Sequence, residues 1–175
     1  MAVFVQANFG SREELVLAGL PLGELLADDN PMAEHFSMPP GAGSVIAIVA
    51  TDAPLLPGHC KALARRVTLG LARTGTTGSH FSGDLFLAFS TGNPGAVTPG
   101  AATLYAGAEA DYDRLRFIPW GFLDPFYTAV VQATEEAVAN ALVANEDMTG
   151  RDGHRTPALP RDKVAELLQS RRPGG

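Results

Sequence analysis

Apolar positions fall into two rhythms along this chain, one unbroken β-branched run and several stripes at helical spacing, and together they predict strands alternating with helices. Residues 45–50 read Val-Ile-Ala-Ile-Val-Ala with no polar break, the pattern of a buried strand covered on both faces. Glycine-rich text delivers Ser44 to its mouth, and Thr51-Asp52-Ala53-Pro54 closes it with turn residues. Pro57 suits the first turn of a helix over about 57–73, with Leu63, Ala64, Val67 and Leu71 on the buried face. Lys61, Arg65 and Arg66 lie mostly away from that face and read as solvated. Upstream, 3–7 is predicted as a strand ended by Asn8 and Gly10, with a second short strand around 15–18. Downstream come a strand over 85–89, a short strand near 103–106, and a helix over 124–148 that starts at Asp124-Pro125 and stops at Gly150. A last amphipathic helix lies within 161–172, marked by Val164, Leu167 and Leu168.

Strands alternating with amphipathic helices define an α/β or α+β layered domain, and 175 residues make a single domain with a sizeable core. Residues 28–43 carry Pro, Met, Gly and acidic side chains without apolar period and read as a surface linker. A composition of 46% hydrophobic and 18% charged residues suits a compact fold, and a net charge of −6 gives nucleic acid or an anionic membrane nothing to hold. No segment is apolar enough over enough residues to span a bilayer. The single cysteine, Cys60, forms no internal disulfide, and the start Met1-Ala2-Val3-Phe4-Val5 has no basic leader, so the expected compartment is the cytoplasm.

Candidate chemistry centres on Gly43-Ser44. Attack of the Ser44 hydroxyl on the Gly43 carbonyl gives an N-to-O acyl shift, then an ester, and after hydrolysis a free α-amine on Ser44. Hydroxyl and amine then form nucleophile and base in one residue. The same dipeptide is also ordinary turn chemistry before a core strand, and the residues alone leave both readings open. Ser82 and Asp84, two apart on an extended segment, project to one side, so hydroxyl and carboxylate converge, or else form a hydrogen-bonded turn. Asn8, before an aromatic and a glycine, suits an Asx-turn. The run over 74–84 is glycine-rich but lacks the Lys-Ser/Thr ending of a phosphate loop. His35 has no partner at metal-ligand spacing, and the four histidines and one cysteine fit no zinc template. Glu135 and Glu136, being adjacent, point apart on a helix. The aromatics Phe117, Trp120 and Phe122 suit either the lining of a substrate pocket or packing between subunits, and packing is the simpler reading.

Gly43-Ser44 with the following Val-Ile-Ala-Ile-Val-Ala-Thr-Asp-Ala-Pro-Leu-Leu-Pro, then Leu63-Ala64-Arg65-Arg66, then Ser82-Gly83-Asp84-Leu85-Phe86-Leu87-Ala88-Phe89-Ser90-Thr91, closely resembles the L-aminopeptidase/D-amino-acid esterase family. That family includes the β-peptidyl aminopeptidases, self-cleaving hydrolases of the N-terminal-nucleophile type. The segment 149–155 and Ala158-Leu159-Pro160 match its C-terminal pattern. The match runs from about Val3 to the last helix and covers only the later part of the family's pattern. The resemblance implies part of a four-layer αββα sandwich, with 1–43 the end of an α-subunit-like segment plus linker and 44–175 a β-subunit-like segment. It implies cleavage between Gly43 and Ser44, with Ser44 as nucleophile and the amide of Asn8 in the oxyanion hole. Ser82 is expected to position or relay protons at Ser44, and Asp84 to orient the network. Some relatives carry glutamate where Asp84 stands. Nothing in the motif gives His80 a triad role.

The activity so implied is release of N-terminal residues from short peptides or amino-acid amides and esters through an acyl-enzyme on Ser44, with no metal or organic cofactor. The implied partners are the peptide substrate, further copies in a symmetric oligomer, and an upstream α-subunit-like segment. Two other readings stand beside it: a non-catalytic or truncated homologue serving as scaffold or assembly partner, and an autoprocessed acyltransferase of similar fold. Acyltransferases of that kind present threonine where this chain has Ser44.

Overall fold

A strand gives its side chains to its two faces in turn. In β2 (Ser44–Thr51) this sends Val45, Ala47, Val49 and Thr51 to one side, where all are buried. The computed structural model describes residues 1–27, 43–96 and 114–170. β2 is the centre of a three-stranded sheet. β1 (Ala2–Asn8) pairs with it antiparallel and β3 (Leu85–Ser90) parallel, in the order β1-β2-β3.

Helices cover the Val45 side. α2 (Pro57–Ala64) packs on β3, and α4 (Asp124–Ala144) packs on β1 and on α3 (Val67–Ala72). Val45, Ala47 and Val49 meet Leu63, Val67, Leu71, Leu123, Val130 and Val138 there. Each such side chain, fully buried, stabilises the fold by roughly 1.5–3 kcal/mol before conformational entropy is charged against it. α3 and α4 cross at Gly70, where a Cβ would stand 2.5 Å from that of Thr134.

Among the described residues nothing covers the other face of the sheet, where the apolar run led to an expectation of cover on both sides. Phe4, Ile46, Leu85, Leu87 and Phe89 are all exposed on it, and the register puts Ile46 beside Leu85 and Phe4 beside Ile48. A β-branched run specifies a strand suited to burial but does not itself state what covers each face. Among the described residues the main three-stranded sheet carries one helical layer, a layered α/β arrangement, and a second sheet of two short strands stands apart from it.

Three local expectations change. The strand near 15–18 is instead a 3-10 turn (Arg12–Glu14), a tight bridge between Leu17 and Leu20, and the short helix α1 (Leu22–Leu25). Gly19, at φ +75°, turns the chain so that Leu17, Leu20, Leu22 and Leu26 pack sideways against Val164 of α5 (Arg161–Ser170). The helix over 57–73 is two helices. Arg65 and Arg66 keep right-handed helical angles, but the Arg66 N–H bonds Leu63 O at 2.8 Å, tightening the turn between α2 and α3. The Arg66 guanidinium then lies 4.3 Å from the centre of the Tyr127 ring.

α4 ends at Ala144, because Asn145 turns extended and the chain enters a small hairpin of β4 (Met148–Thr149) and β5 (Arg155–Thr156) that the apolar pattern does not announce. Asp147 staples it, accepting from the Ala158 N–H at 2.7 Å and pairing with Arg155. Phe117 and Trp120 tilt against the buried ring of His59, yet they and Phe122 stay more than half exposed. Cys60 is a half-buried free thiol whose pKa burial pushes up. Among the described residues, no helix is long and apolar enough to cross a membrane. His35, most of the 28–43 linker and the strand near 103–106 lie outside the described residues.

Candidate active site

The mouth of β2 collects the residues of interest because three strands begin or end there. In the antiparallel ladder Asn8, the last residue of β1, is the direct partner of Ser44, the first of β2. Such partners carry their Cβ atoms about 4.5–5.5 Å apart on the same face of the sheet. That face is the bare one, and Asn8 is exposed on it.

The segment entering β3 closes the site from the other side. The backbone N–H of Gly83 donates to Ser44 Oγ at 3.0 Å. Asp84 Oδ1 accepts twice, from the Val45 N–H at 3.0 Å and from the Ser82 hydroxyl at 2.5 Å. The structure thus brings Ser44, Ser82 and Asp84 into one hydrogen-bonded cluster, in which Ser82 and Asp84 bond each other and reach Ser44 through main-chain groups on either side of it. Ser82 and Asp84 project together, as residues two apart on extended chain must.

Sequence reasoning placed the chemistry in the side chains of Ser82 and Asp84 and passed over Gly83, whose main chain makes the direct contact. The available signal was the glycine itself. A Cβ at position 83 would stand 3.2 Å from Ser44 Oγ, a tight fit that a bare backbone avoids. Gly43 is held more closely still, with its backbone packed onto Asn8 and Phe9. A hydroxyl that accepts a main-chain N–H has a donor ready for charge building on its oxygen and keeps its own proton free to leave. This is the polarity a nucleophile needs.

His80 does not complete a triad. Its ring packs on Phe81 at 4.0 Å, and among the described residues no hydrogen bond links it to Ser82 or Asp84. Glu135 is engaged by Arg73 at 2.6 Å, so it serves the α3–α4 contact. Among the described residues no group of three His, Cys, Asp or Glu side chains is placed to hold a metal ion. An open cavity of about 590 Å3 adjoins the cluster, walled by Gly43, Ser82 and Asp84 on one side and by Phe9, Gly10 and Glu14 on another.

The fold is similar to that of a solved relative described as a new variant among the ntn hydrolase fold. That relative is the l-aminopeptidase d-ala-esterase/amidase of Ochrobactrum anthropi, with a TM-score of 0.77 and 33% identity over 96% of this chain and 42% of that one. A Burkholderia sp. beta-aminopeptidase is similar with a TM-score of 0.78 and 38% identity, over 98% of this chain and 45% of that one. Among curated proteins, the beta-peptidyl aminopeptidase BapA of Sphingosinicella microcystinivorans is 38% identical over 98% of this chain and 43% of its own length. The chain belongs to peptidase family S58, whose model matches residues 1–156. It spans less than half the length of each of these relatives.

Proposed function

We propose that this chain is the nucleophile-bearing part of an autoprocessing serine aminopeptidase that releases N-terminal residues from short peptides or from amino-acid amides and esters. The observation that carries the reading is the pair of main-chain links at β2's first two residues, Gly83 N–H to Ser44 Oγ and Val45 N–H to Asp84. Membership of a peptidase family and the names of the relatives support hydrolysis as the reaction class.

In processing, Ser44 Oγ attacks the Gly43 carbonyl carbon and the C–N bond to Ser44 breaks, which leaves residue 43 as an ester on the hydroxyl. Water hydrolyses that ester, freeing the carboxylate of residue 43 and regenerating the Ser44 hydroxyl beside the α-amine that the C–N cleavage exposed. An α-amine titrates near pH ~7.7–8.0 when unperturbed, well matched to general-base work. In turnover the amine takes the Ser44 proton as Oγ attacks the substrate carbonyl, and the Asn8 amide donates to the oxyanion. The leaving amine takes the proton, and water then releases the acyl group by the same route reversed. Asp84, fixed by its two donors, favours the protonated amine.

The bare sheet face is covered, in this reading, by the α-subunit-like segment that precedes the linker, with symmetric assembly of copies and a cytoplasmic location. The same bare face favours a second reading, an assembly partner without catalysis. Intact-mass measurement of the protein as its gene encodes it separates the two. Two fragments divided between Gly43 and Ser44, and one uncleaved, inactive chain for Ser44→Ala, are expected of the enzyme. A single chain that persists for days and releases no amine from amino-acid amides would sink it.

A further inference from the structure

The cavity beside Ser44 has two walls from distant stretches of chain. One is the turn that follows Asn8, from Phe9 to Glu14. The other is the loop over 74–84, which ends in Ser82, Gly83 and Asp84. Three contacts join them. Val16 N–H donates to Thr74 O at 2.9 Å. Gly75, at φ +103°, is pressed so near Glu14 that a Cβ there would come within 1.7 Å of its carbonyl oxygen. Thr77 Oγ1 donates to Glu14 Oε1 at 2.9 Å, while Glu14 Oε2 accepts from the Ser11 N–H at 3.3 Å.

We infer that Glu14, through Thr77, is a positioning residue that sets the loop carrying Ser82, Gly83 and Asp84 against the turn carrying Asn8; the inference rests on the aminopeptidase reading of Ser44. Beyond Thr77 the loop bonds mainly to itself. Gly78 N–H donates to Thr76 Oγ1 at 3.2 Å, Phe81 N–H to Ser79 Oγ at 3.3 Å and Ser82 N–H to Ser79 O at 3.0 Å. Such a loop moves as a unit, held at its far end by the Gly83 and Asp84 bonds to β2 and at its near end by the Glu14 carboxylate, which biases its attitude toward Ser44. One oxygen of Glu14 is tied to its own turn and the other to the loop, so the residue spans the two walls. The Thr77 bond is solvent-exposed and adds little to global stability. Its loss therefore reads out in the distance from Gly83 N–H to Ser44 Oγ more than in unfolding, and catalysis is steeply sensitive to such misplacement.

The test compares Thr77→Val, which deletes the donor, with Thr77→Ser, which keeps it, in the protein as its gene encodes it. Material confirmed as processed by intact mass is assayed on p-nitroanilides of L-alanine, D-alanine and β-alanine, using whichever the unsubstituted protein turns over fastest. Thr77→Val is expected to lower kcat about tenfold with KM within about twofold and an unchanged melting temperature, and Thr77→Ser to restore kcat. A kcat for Thr77→Val within twofold of the unsubstituted protein, or a failure of Thr77→Ser to restore it, overturns the assignment. Ser44→Ala, run alongside, tells the two failures apart. Turnover that survives Ser44→Ala sinks the underlying reading and this inference with it, whereas turnover lost with Ser44 yet indifferent to Thr77→Val sinks the positioning role alone.

Discussion

The backbone of Gly43 lies so close to Asn8 that a Cβ placed on it would stand 2.2 Å from the Asn8 carbonyl oxygen and 3.1 Å from the Phe9 Cα. Those atoms are main chain, so nothing flexible can yield. Gly43→Ala must therefore push residue 43 away from the end of β1 and move its carbonyl relative to both Ser44 and Asn8. Self-cleavage is expected to slow by about tenfold or more, since reacting groups displaced by even part of an ångström lose their near-attack geometry. A time course of intact mass checks this, with Gly58→Ala as control because a side chain there meets open space. Cleavage of Gly43→Ala at the control's rate would contradict it.

Asp84 Oδ1 holds the Val45 N–H and the Ser82 hydroxyl together. Asp84→Asn keeps an acceptor oxygen for both, so stability is expected to change by no more than about 1 kcal/mol. The negative charge is lost, however, and with it the support that the proposed mechanism gives a protonated α-amine at Ser44. A nearby anion raises the pKa of an amine, so its removal lowers that pKa. If the amine works as a base, as proposed, activity is expected to rise as pH climbs through its pKa. Asp84→Asn should therefore shift the acid limb of the pH–rate profile to lower pH and reduce the plateau by roughly 10–100-fold. An unmoved profile at full plateau would show that the carboxylate plays no electrostatic part.

Residue type carries information about side chains, and that limits how far the site was legible in advance. The run 45–50 announced β2 because β-branched residues without polar breaks have few other places to go. The stripe from Val130 to Leu142 announced α4 because its period is helical. Ser82 and Asp84 were visible as a pair two apart. Gly83 was not, because a main-chain donor has no residue signature. Leu15, Leu17, Leu20 and Leu22 are spaced for neither a strand nor a helix, and the turn at Gly19 rather than any period decides their packing. The hairpin of β4 and β5 is too short, at two residues a strand, to display alternation. The bare face escaped notice for a different reason, since apolarity states that a surface should be covered and leaves unstated what covers it.

Asp147 gives that hairpin a pH dependence. Its carboxyl is held below the usual range first by the Ala158 N–H and then by Arg155. For an acid with a depressed folded-state pKa, the stabilisation is present above the unfolded value and disappears as pH falls through the folded one. The staple should therefore be intact at neutral pH and loosen only below about pH 4, the ordinary aspartate value. Hydrogen exchange at the Ala158 amide, corrected for the intrinsic rate, is expected to lose protection in that range and to be weakly protected at all pH in Asp147→Ala. Protection that stays flat from pH 6 to pH 2 would remove Asp147 as the cause.

Thr134 sits at the crossing of α3 and α4 with its side chain fully buried, and among the described residues its hydroxyl has no hydrogen-bond partner. Burying a hydroxyl in that state costs about 1–3 kcal/mol by mutational measures. Thr134→Val replaces the oxygen with a methyl of similar size and keeps the branch that fits over Gly70. It is expected to stabilise the fold by about 1 kcal/mol, raising the melting temperature by roughly 2–4 °C for a domain of this length. The converse change tests the same crossing. In Gly70→Ala the new Cβ would face the Thr134 Cβ at 2.5 Å and the Val131 carbonyl oxygen at 2.8 Å, and such overpacking costs typically about 1–3 kcal/mol. Thermal unfolding of the two variants should move in opposite directions. If Thr134→Val melts lower than the unsubstituted protein, the hydroxyl has a partner and the crossing is held by more than close packing.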